Sequence, residues 1–225
     1  DSLISFGGIT VNNALIQDSG KSQGIVNYDT SGNAFFSYKY SLSNIFQLEL
    51  INIGQFNDLS NLKSKNIEVR NTYINDNNLN FRLGGKLMIF SPQKNDGLWS
   101  SLRTSFGRND NTNQGYIYSE FINTIRVNSW LATNISPKYF FSGVDSFGAI
   151  GISKYINLGD KVLIIPEINI QLSKESESNN TISFRYSYRP SRSIDLYYSN
   201  AIGIQDLGQN LKGKDKFGIK LNFNY

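Results

Sequence analysis

Apolar and polar residues alternate with a period of two through most of this chain. Between 79 and 90, Leu79, Phe81, Leu83, Leu87 and Ile89 share one parity, and Asn80, Arg82, Gly84 and Lys86 the other. Val162, Ile164, Ile168, Ile170 and Leu172 oppose Lys161, Glu167, Asn169 and Gln171. Ile182, Phe184, Tyr186 and Tyr188 oppose Thr181, Ser183, Arg185 and Ser187, and Phe46, Leu48 and Leu50 oppose Gln47 and Glu49. The last stretch repeats the rule, with Phe217, Ile219, Leu221, Phe223 and Tyr225 against Gly218, Lys220, Asn222 and Asn224. Successive strand side chains point to opposite faces, so each segment reads as a strand with one apolar face. No long segment shows the 3.6-residue period of an amphipathic helix. Strands are expected at 22–29, 33–41, 45–53, 66–74, 79–90, 98–107, 115–127, 147–156, 161–172, 181–188, 193–202 and 216–225, twelve in all.

The connections alternate in length. Short turns rich in Asn, Asp, Gly, Ser or Pro are expected at 42–44, 75–78, 108–114, 157–160 and 189–192. Longer loops are expected at 54–65, 91–97, 128–146, 173–180 and 203–215. The loop 128–146 has room for two further strands, so the count ranges from 10 to 14 around twelve. Pro166 interrupts a strand, and a local bulge is expected there. Residues 1–21 lack alternation and carry Gly7-Gly8 and Asp18-Ser19-Gly20, so they are read as an arm, periplasmic or lumen-entering, ahead of a barrel at 22–225.

A set of strands with one continuous apolar face needs a partner for that face. In lipid, a closed barrel leaves no edge and turns its apolar face outward. The segment Lys216–Tyr225 resembles the terminal signal of bacterial outer-membrane β-barrels, through Lys216, Gly218, Leu221, Phe223 and the final aromatic Tyr225. The resemblance implies an all-β, closed antiparallel transmembrane barrel of about twelve strands in a bacterial outer membrane. It also implies porin-like character and handling by the barrel-assembly machinery, with Gly218, Leu221, Phe223 and Tyr225 as the assembly signal. Both termini then face the periplasm, and Asp1 reads as the start of a mature chain after export.

Composition agrees with strands rather than helices as the spanning elements. Hydrophobic residues make up 39% of the 225 and the mean hydropathy is −0.34, with no apolar run of the roughly 18 residues that a spanning helix needs. A barrel spans with such a composition because only every second residue meets lipid. The net charge of +4 is not clustered, so no nucleic-acid partner is read. Tyr38, Tyr40, Tyr73, Tyr188, Tyr198 and Tyr225 fall near expected strand ends, as an interfacial girdle requires.

The absence of His and Cys removes serine–histidine triads, cysteine nucleophiles and most transition-metal sites. No enzyme, cofactor or metal is read. The polar parity instead carries Lys39, Arg70, Arg82, Lys86, Arg103, Arg126, Lys154, Lys161, Arg185 and Lys220, against Glu49, Glu68, Glu120, Glu167 and Asp195. Arg or Lys facing lipid at the bilayer midplane costs about 2–4 kcal/mol, so these charges are expected to face the lumen or lie near a rim. Arg70, Arg82, Lys86, Arg103, Glu120, Arg126, Glu167, Arg185 and Lys220 are the candidate pore-lining set. Two readings of that interior stay open. A water-filled pore with excess cations is a passive channel for small polar or anionic solutes. A barrel filled by ion pairs is a non-conducting structural or surface-interaction protein, with loops that meet surface polysaccharide or another envelope protein. A soluble barrel that holds an apolar ligand is the third alternative.

Overall fold

The computed structural model describes residues 5–32, 34–53, 80–92, 97–109, 114–142, 146–172 and 177–225. Twelve strands form the structure: β1 (Ser22–Asp29), β2 (Ala34–Ser43), β3 (Phe46–Ile53), β4 (Asn80–Phe90), β5 (Leu98–Asn109), β6 (Gln114–Arg126), β7 (Leu131–Ser142), β8 (Ser146–Asn157), β9 (Val162–Gln171), β10 (Asn179–Arg189), β11 (Arg192–Ala201) and β12 (Lys212–Asn224). Each strand pairs antiparallel with its sequence neighbours, and β1 pairs with β12 to close the barrel. At the closure Val26 lies opposite Leu221 and Tyr28 opposite Ile219, so the terminal alternation continues the outer face of β1. We call the end where β1 begins and β12 finishes the terminal end, and the opposite rim the far end.

The alternation sorts the side chains. Phe36, Leu48, Leu83, Leu102, Phe121, Ile135, Ile182, Phe184 and Leu196 are exposed on the outer wall. The residues between them are buried inside, from Ser37 and Glu49 to Arg103, Asn134, Arg185 and Asp195. Exposed Tyr38, Tyr40, Trp130, Tyr188 and Tyr225 lie towards the terminal rim, and exposed Tyr28, Tyr139, Phe141, Tyr198 and Phe217 towards the far rim. Two aromatic belts flanking an apolar band match what a bilayer demands of a barrel. No helix among the described residues is long and apolar enough to cross a membrane.

The strand count agrees with the expectation, but one strand differs. The segment read as a long loop at 128–146 contains β7, entered through a tight turn at 127–130. The strand expected at 66–74 and the turn at 75–78 lie outside the described residues, while β3 pairs directly with β4. The three strands between these two places therefore run opposite to the expected direction. β4 ends and β5 begins at the terminal end, and β5 ends and β6 begins at the far end, the reverse of the sides expected for these strand ends.

Pro166 makes no bulge. The β8–β9 register is the same at Ser153↔Glu167 and at Ile156↔Ile164, and the ladder only lapses between them. Pro137 does the same to the β6–β7 ladder between Glu120↔Lys138 and Asn123↔Ile135. A proline removes one donor, and each strand keeps an intact ladder on its other side. Elsewhere, glycine makes room for an inward aromatic. Tyr197 lies opposite Gly218, and a Cβ on Gly218 would run into its ring. Tyr116 stands over Gly107 in the same way.

Candidate functional site

The lumen holds two segments of the chain, one from each end. Residues 5–17 enter from the terminal end, after backbone bonds at the rim from Ser19 N–H to Asn44 Oδ1 (2.8 Å) and from Gly20 N–H to Ser41 O (2.8 Å). Their deepest point is a turn in which Gly8 N–H donates to Val11 O at 3.0 Å. That turn directs three amides at one wall carboxylate: Ile9 N–H (2.8 Å), Thr10 N–H (3.2 Å) and Val11 N–H (2.8 Å) all donate to Glu167. Converging amides of this kind form a concave anion site. Gly8 is required by close approach, since a Cβ there would run into the Glu167 carboxylate.

The arm's carbonyls are held by wall cations. Arg185 donates to Phe6 O (3.0 Å) and Gly7 O (2.6 Å), and Lys220 to Gly7 O (3.1 Å) and Gly8 O (2.7 Å). Lys138 donates to Thr10 O (2.7 Å), and Lys86 to Asn13 O (3.1 Å) and Leu15 O (2.9 Å). Asn12 Nδ2 donates to Glu120 (2.7 Å), and Ala14 N–H to Thr124 Oγ1 (2.8 Å). Buried main-chain polar groups need partners, and here the wall supplies them. Ala14 also packs in an apolar cluster with Trp99, Ile122, Ala132, Tyr155, Leu163 and Ile165.

The second segment is the β11–β12 connection, 202–211, which folds inward and carries a 3₁₀ turn at Asp206–Asn210. Ile202, Ile204, Leu207 and Leu211 pack with Ile25, Phe35, Ile51, Tyr116, Tyr118, Phe140 and Tyr197. Asp206, held at a φ of 44°, a backbone region uncommon for residues other than glycine, sits at the centre of the charge network. It accepts from Arg103 Nη1 and Nη2 (both 3.2 Å) and from Tyr116 Oη (2.8 Å), with Arg82 at 3.6 Å. Arg103 also grips Glu49 through Nε (3.0 Å) and Nη2 (2.9 Å) and lies 3.5 Å from Glu120. Arg185 pairs with Asp195 through two bonds of 2.7 Å, and Lys220 lies 3.6 Å from the same carboxylate.

Beside the arm, a cavity of about 400 Å³ is lined by residues of the terminal end such as Lys21, Gln23 and Tyr225, and reaches Gly7. Gly7 is bonded to Arg185 and Lys220, both inside the spans of their strands, so this recess runs well into the barrel.

No protein-family model and no curated protein matches this sequence. Solved structures do match its fold. The KdgM porin superposes with a TM-score of 0.64 at 5% identity, over 91% of this chain and 99% of that one. The NanC porin gives 0.61 at 9% identity, over 90% and 98%. An outer membrane channel from Pseudomonas putida F1 gives 0.61 at 9% identity, over 94% and 98%. The chain has the fold of the outer-membrane porins.

Within this porin fold, the expected inward residues divide by partner. Arg82, Lys86, Arg103, Glu120, Glu167, Arg185 and Lys220 are all buried inside the barrel. Arg82 and Arg103 meet Asp206, while Lys86, Glu120, Glu167, Arg185 and Lys220 meet the arm. Arg126 is only half-buried and lies at the terminal rim, with Nε 3.4 Å from Asn128 O. Arg70, Glu68 and Tyr73 lie outside the described residues. Two residues placed inward by sequence are not inside. Lys154 is exposed on the outer parity between buried Ser153 and Tyr155, where the β8–β9 ladder lapses, and Lys161 is exposed in the turn before β9. Two central residues were missed: Lys138, within the strand read as a loop, and Asp206, within a connection read as an outside loop. Gly218, Leu221, Phe223 and Tyr225 lie on or beside β12, with Gly218 beneath Tyr197 and the Phe223 and Tyr225 rings stacked at 6.5 Å.

Proposed function

We propose that this chain is a porin-type barrel of a bacterial outer membrane, a passive channel for small polar or anionic solutes, described here with its lumen occupied by its own arm. The observation that carries this reading is the identity of the partners of the wall cations. Among the described residues, eight buried cations (Lys39, Arg82, Lys86, Arg103, Lys138, Arg185, Lys216 and Lys220) stand against five buried wall carboxylates (Asp29, Glu49, Glu120, Glu167 and Asp195) and Asp206 of the inward connection. The excess is met largely by arm carbonyls, which are neutral and belong to a segment tethered to the barrel at Lys21. A wall that keeps cations in excess of its own carboxylates raises the local concentration of anions once water enters. The KdgM porin has been solved with disordered oligogalacturonate, an anionic ligand of that protein. The apolar outer wall with its aromatic belts supports placement in a bilayer, and the terminal strand supports delivery by the barrel-assembly machinery.

The experiment is planar-bilayer recording in a salt gradient, on the full chain and on a variant lacking residues 5–17. The channel reading expects conductance that rises on removal of the arm, with a reversal potential that favours chloride over potassium. A second reading has its own support in the filled lumen: a non-conducting barrel whose loops contact surface polysaccharide or another envelope protein. Silence of both proteins in the bilayer establishes that reading instead.

A further inference from the structure

Gln23, Lys39, Gln47 and Lys86 form a row across the inner wall of β1 to β4. Gln23 lies opposite Lys39, and Gln47 opposite Lys86, with Ser41 and Glu49 completing the register between them. All four line the recess of about 400 Å³ at the terminal end, a volume within the ~300–1,000 Å³ of small-molecule sites.

The row is underused by the protein itself. Lys39 is 8% exposed, and its one ionic partner among the described residues is Glu49 at 3.7 Å. Both Glu49 oxygens already accept from Arg103 at 2.9 and 3.0 Å. The Lys39 ammonium makes no hydrogen bond among the described residues, although a buried ammonium carries three donors. Gln23 donates its amide nitrogen to Asn224 Oδ1 (3.0 Å) and Gln47 its own to Ser41 Oγ (3.3 Å), which leaves two amide oxygens as acceptors. Lys86, held to the arm through two carbonyls, keeps a third donor. Among the lining residues the charges are Lys21, Lys39 and Lys86 against Asp18, so the recess is net cationic.

An alternation of ammonium and amide oxygen asks for a ligand that alternates anion and hydroxyl. We infer that the recess is a binding site for a small polyhydroxylated carboxylate of about one sugar unit, its carboxylate on Lys39 and Lys86 and its hydroxyls donating to Gln23 and Gln47. Lys21, exposed at the mouth, draws such an anion in. The inference rests on the channel reading for its purpose, since a solute held at the mouth of the lumen is a solute in transit.

The test is calorimetric titration of the full detergent-solubilised chain with gluconate, with sorbitol as the neutral polyol and acetate as the bare carboxylate. Gluconate binds at least tenfold more tightly than either control, and Lys39→Gln weakens it at least tenfold. Gln47→Glu keeps the side-chain shape, sets a second carboxylate against the ligand and weakens gluconate by a similar factor, which covers the case in which Lys39→Gln fails to fold. Equal binding of acetate and gluconate, or gluconate binding that ignores both substitutions, overturns the site. Bilayer recording separates the two proposals. Gluconate binding by a protein that never conducts retires the channel and keeps the site. Conductance without gluconate binding retires the site and keeps the channel.

Discussion

The two segments inside the barrel share some contacts but differ in the balance of what holds them. The arm is held mostly by its main chain: wall side chains grip its carbonyls at 6, 7, 8, 10, 13 and 15 and its amides at 9, 10, 11 and 14, while Asn12 on Glu120 and the burial of Ile9 and Ala14 in apolar clusters add side-chain contacts. The connection 202–211 is held mostly by its own side chains, with Asp206 in the charge network and Ile202, Leu207 and Leu211 in an apolar cluster, while Lys216 and Asn179 donate to its carbonyls at 202 and 209. The arm joins the barrel through its C-terminal side, at β1, whereas 202–211 joins it at both ends, between two paired strands. Main-chain gripping of an arm makes a plug that fits the wall but remains separable from it. Side-chain packing of a closed connection makes that connection part of the barrel's core. The same lumen thus contains a structural filling at the far end and a stopper at the terminal end.

The largest effect that follows is on stability. Asp206→Ala removes the carboxylate shared by Arg82, Arg103 and Tyr116 and leaves buried cations with fewer partners. Breaking a buried pair in this way costs roughly 3–5 kcal/mol, and the lower end is expected because Arg103 keeps Glu49 and Glu120. Urea unfolding in detergent micelles measures it. The counterpart in the arm is Gly8→Ala, whose Cβ would strike the Glu167 carboxylate and approach Val11 O to 2.8 Å. Here the arm is expected to leave its seat and become at least ten times more sensitive to protease, while barrel stability falls by less than about 1 kcal/mol, as for a change outside the core. A barrel that melts as readily with Gly8→Ala as with Asp206→Ala would show that stopper and filling are one unit, and the distinction between them would fall.

A covalent lock sharpens the same contrast. Ala14 N–H donates to Thr124 Oγ1 at 2.8 Å, so the two residues are close neighbours, and the chain has no cysteine of its own. Ala14→Cys with Thr124→Cys is expected to form a disulfide that pins the arm to β6. Conductance under oxidising conditions then drops below about a tenth of the native value, and reductant restores it. Conductance unchanged by the lock means that solutes pass beside the arm, through the recess.

The fold was legible because alternation is a local property. A strand buried on one face and lipid-exposed on the other writes its orientation every second residue, and the inward placement of Arg82, Arg103 and Arg185 follows from that alone. The misreadings fall where local rules break. In β7, Pro137 and the adjacent pair Phe140-Phe141 blur the alternation, yet Pro137 sits outward and loses only a rung to β6. Lys154 was placed by polarity rather than by its neighbours, and stands outside where Pro166 interrupts the ladder. Beyond an arm that was either periplasmic or lumen-entering, the contacts that seat it were not legible. Its contacts join residues far apart in sequence, such as Ile9 with Glu167 at a separation of 158. Gly7-Gly8 marked a bend without saying what it would clasp.

The smallest expected effect is on ion selectivity, and it asks whether both halves of the lumen touch the conducting path. Arg185 belongs to the arm's side, bonded to Phe6 O and Gly7 O, and Arg82 to the far side, 3.6 Å from Asp206. In a hydrated path, one unit positive charge about 10 Å from a passing ion favours chloride and disfavours potassium by roughly 0.4 kcal/mol each, a factor of about four in their permeability ratio. Arg185→Ser should lower the chloride-to-potassium ratio by about that factor, since it removes a cation beside the arm's seat and leaves Lys220 as the cation 3.6 Å from Asp195. Arg82→Ser should change the ratio by as much only if 202–211 also lines the path. If that connection is filling, Arg82 is screened behind it and the ratio stays at the native value. Reversal potentials of the two single variants, measured in the arm-deleted background so that both face open water, decide it. A shift for Arg185→Ser alone places the path along the arm's seat. Equal shifts for both make the far segment a second lining of the channel. No shift for either removes these arginines from any role in selectivity and leaves the barrel itself untouched.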